Sequence, residues 1–85
     1  SKRNPKYTFT VVTGKDVEDI EILLDSVELE ASKITFRDSR KTGERTWTIV
    51  LKSVKADKGA AFVLTGIGED GIRGDSVTVK NNKSH

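Results

Sequence analysis

Seven consecutive residues near the start of the chain, Tyr7-Thr8-Phe9-Thr10-Val11-Val12-Thr13, are all aromatic or β-branched, alternate at period two, and stop at Gly14. Side chains branched at Cβ lose rotamer freedom against the preceding turn of a helix and pack well on a pleated surface. The run therefore predicts a strand with one face turned to a core, and it sets the class to which the rest of the chain must conform.

The second half conforms. Lys33 to Arg37 carries Ile34 and Phe36 on one face, and the polar stretch Asp38 to Glu44, with Gly43, predicts a hairpin-like loop. Arg45 to Lys52 places Trp47, Ile49 and Leu51 on one side and Thr46, Thr48, Val50 and Lys52 on the other. Ala60 to Thr65 is a short apolar run between Gly59 and Gly66, the glycines at 66, 68, 71 and 74 mark a turn-rich connection, and Ser76 to Lys80 supplies a last strand with Val77 and Val79. Residues 16 to 31 stay ambiguous on local grounds. Val17, Ile20, Leu24, Val27 and Ala31 recur at helical spacing behind a capping Asp16, yet Ile20, Ile22 and Leu24 also alternate as a strand, with a turn at Asp25-Ser26.

A chain of 85 residues has room for one core, expected over residues 7–80 with polar tails at 1–6 and 81–85. Small secreted domains usually lean on disulfides, so the absence of cysteine points to a reducing compartment and a cytoplasmic setting. No run approaches the length of a membrane span, and no membrane role is expected. The net charge of +2 gives weak grounds for a polyanion partner, but the charges are segregated. Between Asp16 and Glu30 lie seven of the thirteen acids and no Lys or Arg, whereas Lys33 to Lys58 holds eight bases against three acids. Opposite charges pairing between neighbouring strands, or a bipolar binding surface, are the two readings of that pattern.

The order of strands and turns over residues 7–80 resembles the intermediate-set immunoglobulin domains of cytosolic muscle and cytoskeletal proteins such as titin, twitchin and myosin-binding protein C. The segment that carries the resemblance is Ile49-Val50-Leu51, then Val54, then Asp57-Lys58-Gly59-Ala60-Ala61-Phe62-Val63, with Asp-x-Gly turning the chain from strand E into strand F. Gly14 with Ile22 eight residues later, Asp25 to Leu29, and Lys33 to Asp38 keep the spacing of earlier family elements and favour strands over a helix at 16–31. The resemblance implies an all-β, immunoglobulin-like antiparallel β-sandwich. Its departures are specific. Ile22 stands at the core tryptophan, Ala61 at the corner tyrosine and Val63 at the strand F cysteine. The strand B cysteine position falls on Thr10 by spacing or Val11 by alternation. Loss of the tyrosine removes a hydrogen bond that ties the corner down, and Trp47 offers part of the missing bulk. Only about six residues precede the first strand, so the family's strand A is missing or displaced and a sheet edge should lie open, where another chain can add a strand. Expected core residues are Phe9, Val11, Ile22, Leu24, Ile34, Phe36, Trp47, Ile49, Leu51, Val63 and Val77.

Catalysis finds no support, because cysteine is absent and the one histidine is His85. No cofactor or metal is expected: nitrogen and sulfur ligands are lacking, and neither Glu69-Asp70-Gly71 nor Asp16 to Asp19 follows a calcium-loop spacing. Arg73-Gly74-Asp75 matches the integrin tripeptide in what reads as a turn, and Asn82-Lys83-Ser84 a glycosylation acceptor, but both need a secreted protein to have meaning. A nucleic-acid role would need the basic set to lie beside exposed Tyr7, Phe36 or Trp47. The function expected is that of a non-catalytic, protein-binding module whose partner is a filament or cytoskeletal protein, or neighbouring domains of the same chain. The candidate contact residues are Tyr7 on the open edge, Glu18, Glu21, Asp25 and Glu28 in the acidic segment, and Arg37, Arg40, Lys41 and Arg45 in the basic one.

Overall fold

A computed structural model describes residues 6–82. Seven strands run in chain order: β1 Lys6–Gly14, β2 Val17–Leu24, β3 Val27–Leu29, β4 Lys33–Asp38, β5 Glu44–Lys52, β6 Ala61–Gly68 and β7 Arg73–Lys80, with one 3-10 turn at Glu69–Gly71. They form two antiparallel sheets, β1-β5-β4 and β3-β2-β6-β7, packed as a β-sandwich. The molecule is elongated, 42 × 25 × 18 Å, and its smallest dimension suits two sheets about 10 Å apart with their side chains.

The ambiguous segment is extended. Asp25 and Ser26 both take positive φ, 46° and 73°, the left-handed pair of a two-residue hairpin turn, and Leu24 lies opposite Val27. The turn is also anchored at a distance: the Asp25 amide donates to the Ala61 carbonyl at 3.0 Å, and the Ala61 amide donates to Asp25 Oδ1 at 3.1 Å. These bonds lie beyond the helical window, so the long-range pairing decides what local periodicity leaves open.

Ile20, Ile22, Trp47, Ile49, Leu51, Ala56, Ala60, Phe62 and Leu64 are buried, with Tyr7, Phe9, Val11, Val17, Leu24, Leu29, Ala31 and Val54 packed against them. Phe62 stands between the two aromatic residues of β1, its ring centroid 5.0 Å from those of Tyr7 and Phe9, both tilted. Trp47 fills the other half of the interior, and its Nε1 donates to Thr13 Oγ1 at 2.9 Å, which satisfies the indole N–H across the β1–β5 pair.

Three expectations are corrected. Along β6 the inward residues are Phe62 and Leu64, while Ala61 and Val63 face the other side, because Ile22 lies opposite Leu64 and Leu24 opposite Phe62. A one-residue shift exchanges the faces of a strand, so the positions assigned to the family's tyrosine and cysteine fall out of phase with this core. Val11 rather than Thr10 faces inward on β1, as the alternation predicts. Second, Ile34, Phe36 and Val77 share faces with core residues but sit on the edge strands β4 and β7, and 37%, 50% and 50% of their surface stays exposed. Third, Asn81, placed in a tail, is buried. Its Nδ2 donates to the carbonyls of Ala56 and Asp57, both at 3.0 Å, its amide donates to Ala60 O at 2.8 Å, and its carbonyl accepts from Gly59 at 2.8 Å. Asn81 thus ties down the corner for which no tyrosine is present. Gly59 turns that corner at φ 87°, a conformation that costs any residue with a Cβ. Lys6 begins β1, and the other residues assigned to the tails, 1–5 and 83–85, lie outside the described residues.

Candidate binding surface

Segregation of charge along the chain becomes segregation between sheets. Glu18, Glu21 and Glu28 stand on β2 and β3, with Asp25 in the turn between them; Arg37 stands on β4, Arg40 and Lys41 in the following loop, and Arg45 on β5. Acidic and basic segments are therefore not strand neighbours, and cross-strand pairing between them does not occur among the described residues.

Arg45 is the most engaged of these side chains. Its Nε donates to Asp38 Oδ1 at 2.7 Å and its Nη2 to Asp38 Oδ2 at 3.1 Å, a two-point contact matched to the carboxylate. Its Nη1 crosses to the other sheet and donates to the Val17 carbonyl at 2.9 Å, while the guanidinium lies 3.9 Å from the Phe36 ring centroid. Hydrogen bonding from Arg45 holds the Asp38 carboxyl below its ordinary pKa, and the same contact raises that of the guanidinium. Arg45 is thus a clasp between the sheets, with three of its five N–H donors engaged. Arg37, Arg40 and Lys41 are exposed.

Among the acids, Glu21 is the most enclosed. Its Oε2 accepts from Arg73 Nη2 at 2.6 Å, and its side chain is only 12% exposed. Glu21, Thr65 and Ser76 lie in register on the outer face of the four-stranded sheet, where the Thr65 and Ser76 hydroxyls bond at 2.7 Å. Arg73-Gly74-Asp75 is the start of strand β7 and not the turn that its glycines suggest, and the Arg73 guanidinium is engaged by Glu21. Glu18 and Glu28 are exposed, and Asp25 spends one oxygen on Ala61.

The third feature is an opening. The β1 edge has no strand beside it among the described residues, and β7 is the facing edge of the other sheet. Tyr7, Phe9 and Val11 pack inward on one side of this gap, and Val77 and Val79 stand on the other, 50% and 36% exposed. Two cavities lie along it. One of about 260 Å³ is bounded by Tyr7, Phe9, Phe62 and Val79, and the other, of about 280 Å³, by Val11, Leu64 and Val77. Sequence alternation marks the two valines of β7 as inward, but it carries no signal that nothing would cover them.

The described residues contain no cluster of three or more metal-ligating side chains, and no helix among them is long and apolar enough to cross a membrane. On the basic side Trp47 is buried, and Phe36, half exposed, lies against Arg45. Compared with known families, curated proteins and solved structures, the chain matches none.

Proposed function

We propose that the chain is an immunoglobulin-like module of the intermediate set that binds protein without catalysis, as part of a larger muscle or cytoskeletal protein of the cytoplasm. The observation that carries this reading is the strand arrangement. With β1 taken as the family's strand B, the sheets β1-β5-β4 and β3-β2-β6-β7 correspond to its B-E-D and C′-C-F-G layers, with no strand A among the described residues. The Asp57-Lys58-Gly59 corner between β5 and β6 supports it further. The muscle or cytoskeletal setting rests on the sequence resemblance alone, since fold does not fix function.

Co-sedimentation with actin filaments and with reconstituted thick filaments at about 0.15 M salt tests the proposal. Saturable pelleting with one of them is expected. Absence of pelleting with both, together with retention of DNA or RNA that falls steeply as salt rises, would replace it with nucleic-acid binding.

A further inference from the structure

The gap between β1 and β7 joins an open sheet edge to an apolar lining. Alternate residues of β1 direct backbone N–H and C=O groups away from β5, and no strand lies there to receive them among the described residues. The two cavities are set one above the other along the strand direction. Their β1 residues are 6–9 and 11–14, so about five residues, or roughly 17 Å, of extended chain separate their centres. Side chains four or six apart on one strand share a face, so a single added strand would reach both cavities with its inward residues.

Charge gives the groove a direction. Lys6 and Lys80 border the cavity beside Tyr7, and Asp16 and Asp75 border the one beside Val11. Lys15 faces a separate hollow with Glu18 and Arg73 and does not line either cavity. All strand pairs among the described residues are antiparallel, the pairing that is slightly more stable per residue. A strand antiparallel to β1 runs from the Asp16 end to the Lys6 end. It therefore meets acids first and bases last.

A second copy of this chain suits the groove poorly. If β1 paired with β1, the copy would bring Tyr7, Phe9 and Val11, which are already packed against their own core, and would leave Val77 and Val79 uncovered. We propose that the groove between β1 and β7 receives an extended segment of a partner protein, antiparallel to β1, with aliphatic residues at alternate positions, a basic residue at its start and an acidic residue at its end. This deepens the protein-binding reading and rests on it.

The test uses the full chain and a fluorescein-labelled peptide, Lys-Thr-Val-Thr-Val-Thr-Val-Thr-Glu, with its charge-swapped counterpart, Glu-Thr-Val-Thr-Val-Thr-Val-Thr-Lys, by fluorescence anisotropy. The first should bind at least about tenfold more tightly than the second. Val77→Lys should weaken it by about tenfold or more, while Val27→Lys, at an exposed position of β3 on the far edge of the four-stranded sheet, should leave it within about twofold. Asp75→Lys, at an exposed position, should narrow or reverse the preference between the two peptides and guards against a Val77 variant that fails to fold. Slowed hydrogen exchange at every second β1 amide should accompany binding. Equal affinity for both peptides, indifference to Val77→Lys, or a dimer of the free protein that Val77→Lys dissociates would overturn the proposal. If Val77→Lys abolishes peptide binding but leaves filament pelleting intact, the filament contact lies elsewhere and only the groove's role in it fails. If peptides bind and filaments do not, the groove stands and the filament setting fails.

Discussion

Asn81→Ala should remove a large part of this domain's stability, although the residue lies one position beyond the last strand. The wild-type side chain donates to two carbonyls, Ala56 O and Asp57 O, each at 3.0 Å. Ala56 is buried, so its carbonyl cannot exchange the lost donor for water, and an unsatisfied buried acceptor costs about 1–3 kcal/mol. Asp57 is exposed and recovers a water, which limits that loss to roughly 0.5–1 kcal/mol. The expected total is about 2–3 kcal/mol, against roughly 3–5 kcal/mol available to a domain of this size. For a chain this short that corresponds to a fall in Tm of roughly 10–20 °C, and with a slope near 1 kcal/mol per molar urea to a midpoint about 2–3 M lower. Trp47 is the only tryptophan and is 3% exposed, so its fluorescence reports the transition directly. Asn82→Ala, at an exposed neighbour, should fall within about 0.5 kcal/mol of wild type. An Asn81→Ala midpoint indistinguishable from that of the Asn82 variant would refute the claim that this amide ties down the Asp57-Lys58-Gly59 corner.

Phe62→Ala should cost about 3–5 kcal/mol and leave little folded protein, whereas Val63→Ala should cost no more than about 1.5 kcal/mol; the reverse order in urea melts would restore the family phase on β6. Gly59→Ala should destabilise by about 1–2 kcal/mol through backbone conformation alone, since no atom lies within 4 Å of the added methyl, and a neutral result would mean the corner relaxes. Because the Asp38 carboxyl is held below its ordinary pKa in the folded state, its contribution is present above roughly pH 4 and is lost as the pH falls through the depressed folded value. Asp38→Asn should therefore flatten the acid limb of the stability–pH curve, as should Arg45→Lys, which cannot make the two-point contact; a limb unchanged in both would assign the acid sensitivity to other carboxylates.

Period-two alternation identifies β1, β4 and β5, and it orders Trp47, Ile49 and Leu51 correctly because those residues sit on a central strand covered from both sides. The same signal overstates Ile34, Phe36 and Val77. Alternation reports which face a side chain takes, while coverage depends on whether the strand is central or at an edge, and that is a property of sheet order. On β6 the difficulty differs: Ala60 to Leu64 is apolar throughout, so periodicity offers no phase and the family spacing supplied one that was off by a residue. The pairing of Ile22 with Leu64 is long-range information and resides in no local window. Among the candidate contacts, exposure of Glu18, Glu28, Arg37, Arg40 and Lys41 is legible from their positions on polar faces and loops. The structural employment of Arg45 and Glu21 is not, since their partners Val17 and Arg73 are 28 and 52 residues away.

How the two sheets hold together without a disulfide or a tryptophan on β2 follows from where the large side chains stand. Ile22 occupies the central position of β2 and is too small to span the layers, and the aromatic volume has moved outward in two directions. Towards Lys6, Phe62 reaches from β6 between Tyr7 and Phe9 of β1; towards Gly14, Trp47 reaches from β5 and is sealed by Arg45, whose Nη1 grips Val17 of the opposing sheet. The first contact uses β1 as one jaw, and among the described residues β5 is the one strand paired with β1. An added strand on the open edge would clamp β1 from its second side and cover Phe62, so ligand binding there should raise the stability of the whole sandwich. In concentrated groove peptide at one hundred times its Kd, the expected gain is about 2.7 kcal/mol. Urea melts of the Phe9→Leu variant, which loosens the ring contact without exposing it, should regain most of their lost midpoint under the same peptide. A peptide that binds yet leaves the midpoint unmoved would mean that it engages the unfolded chain equally well, and that β1 is no jaw.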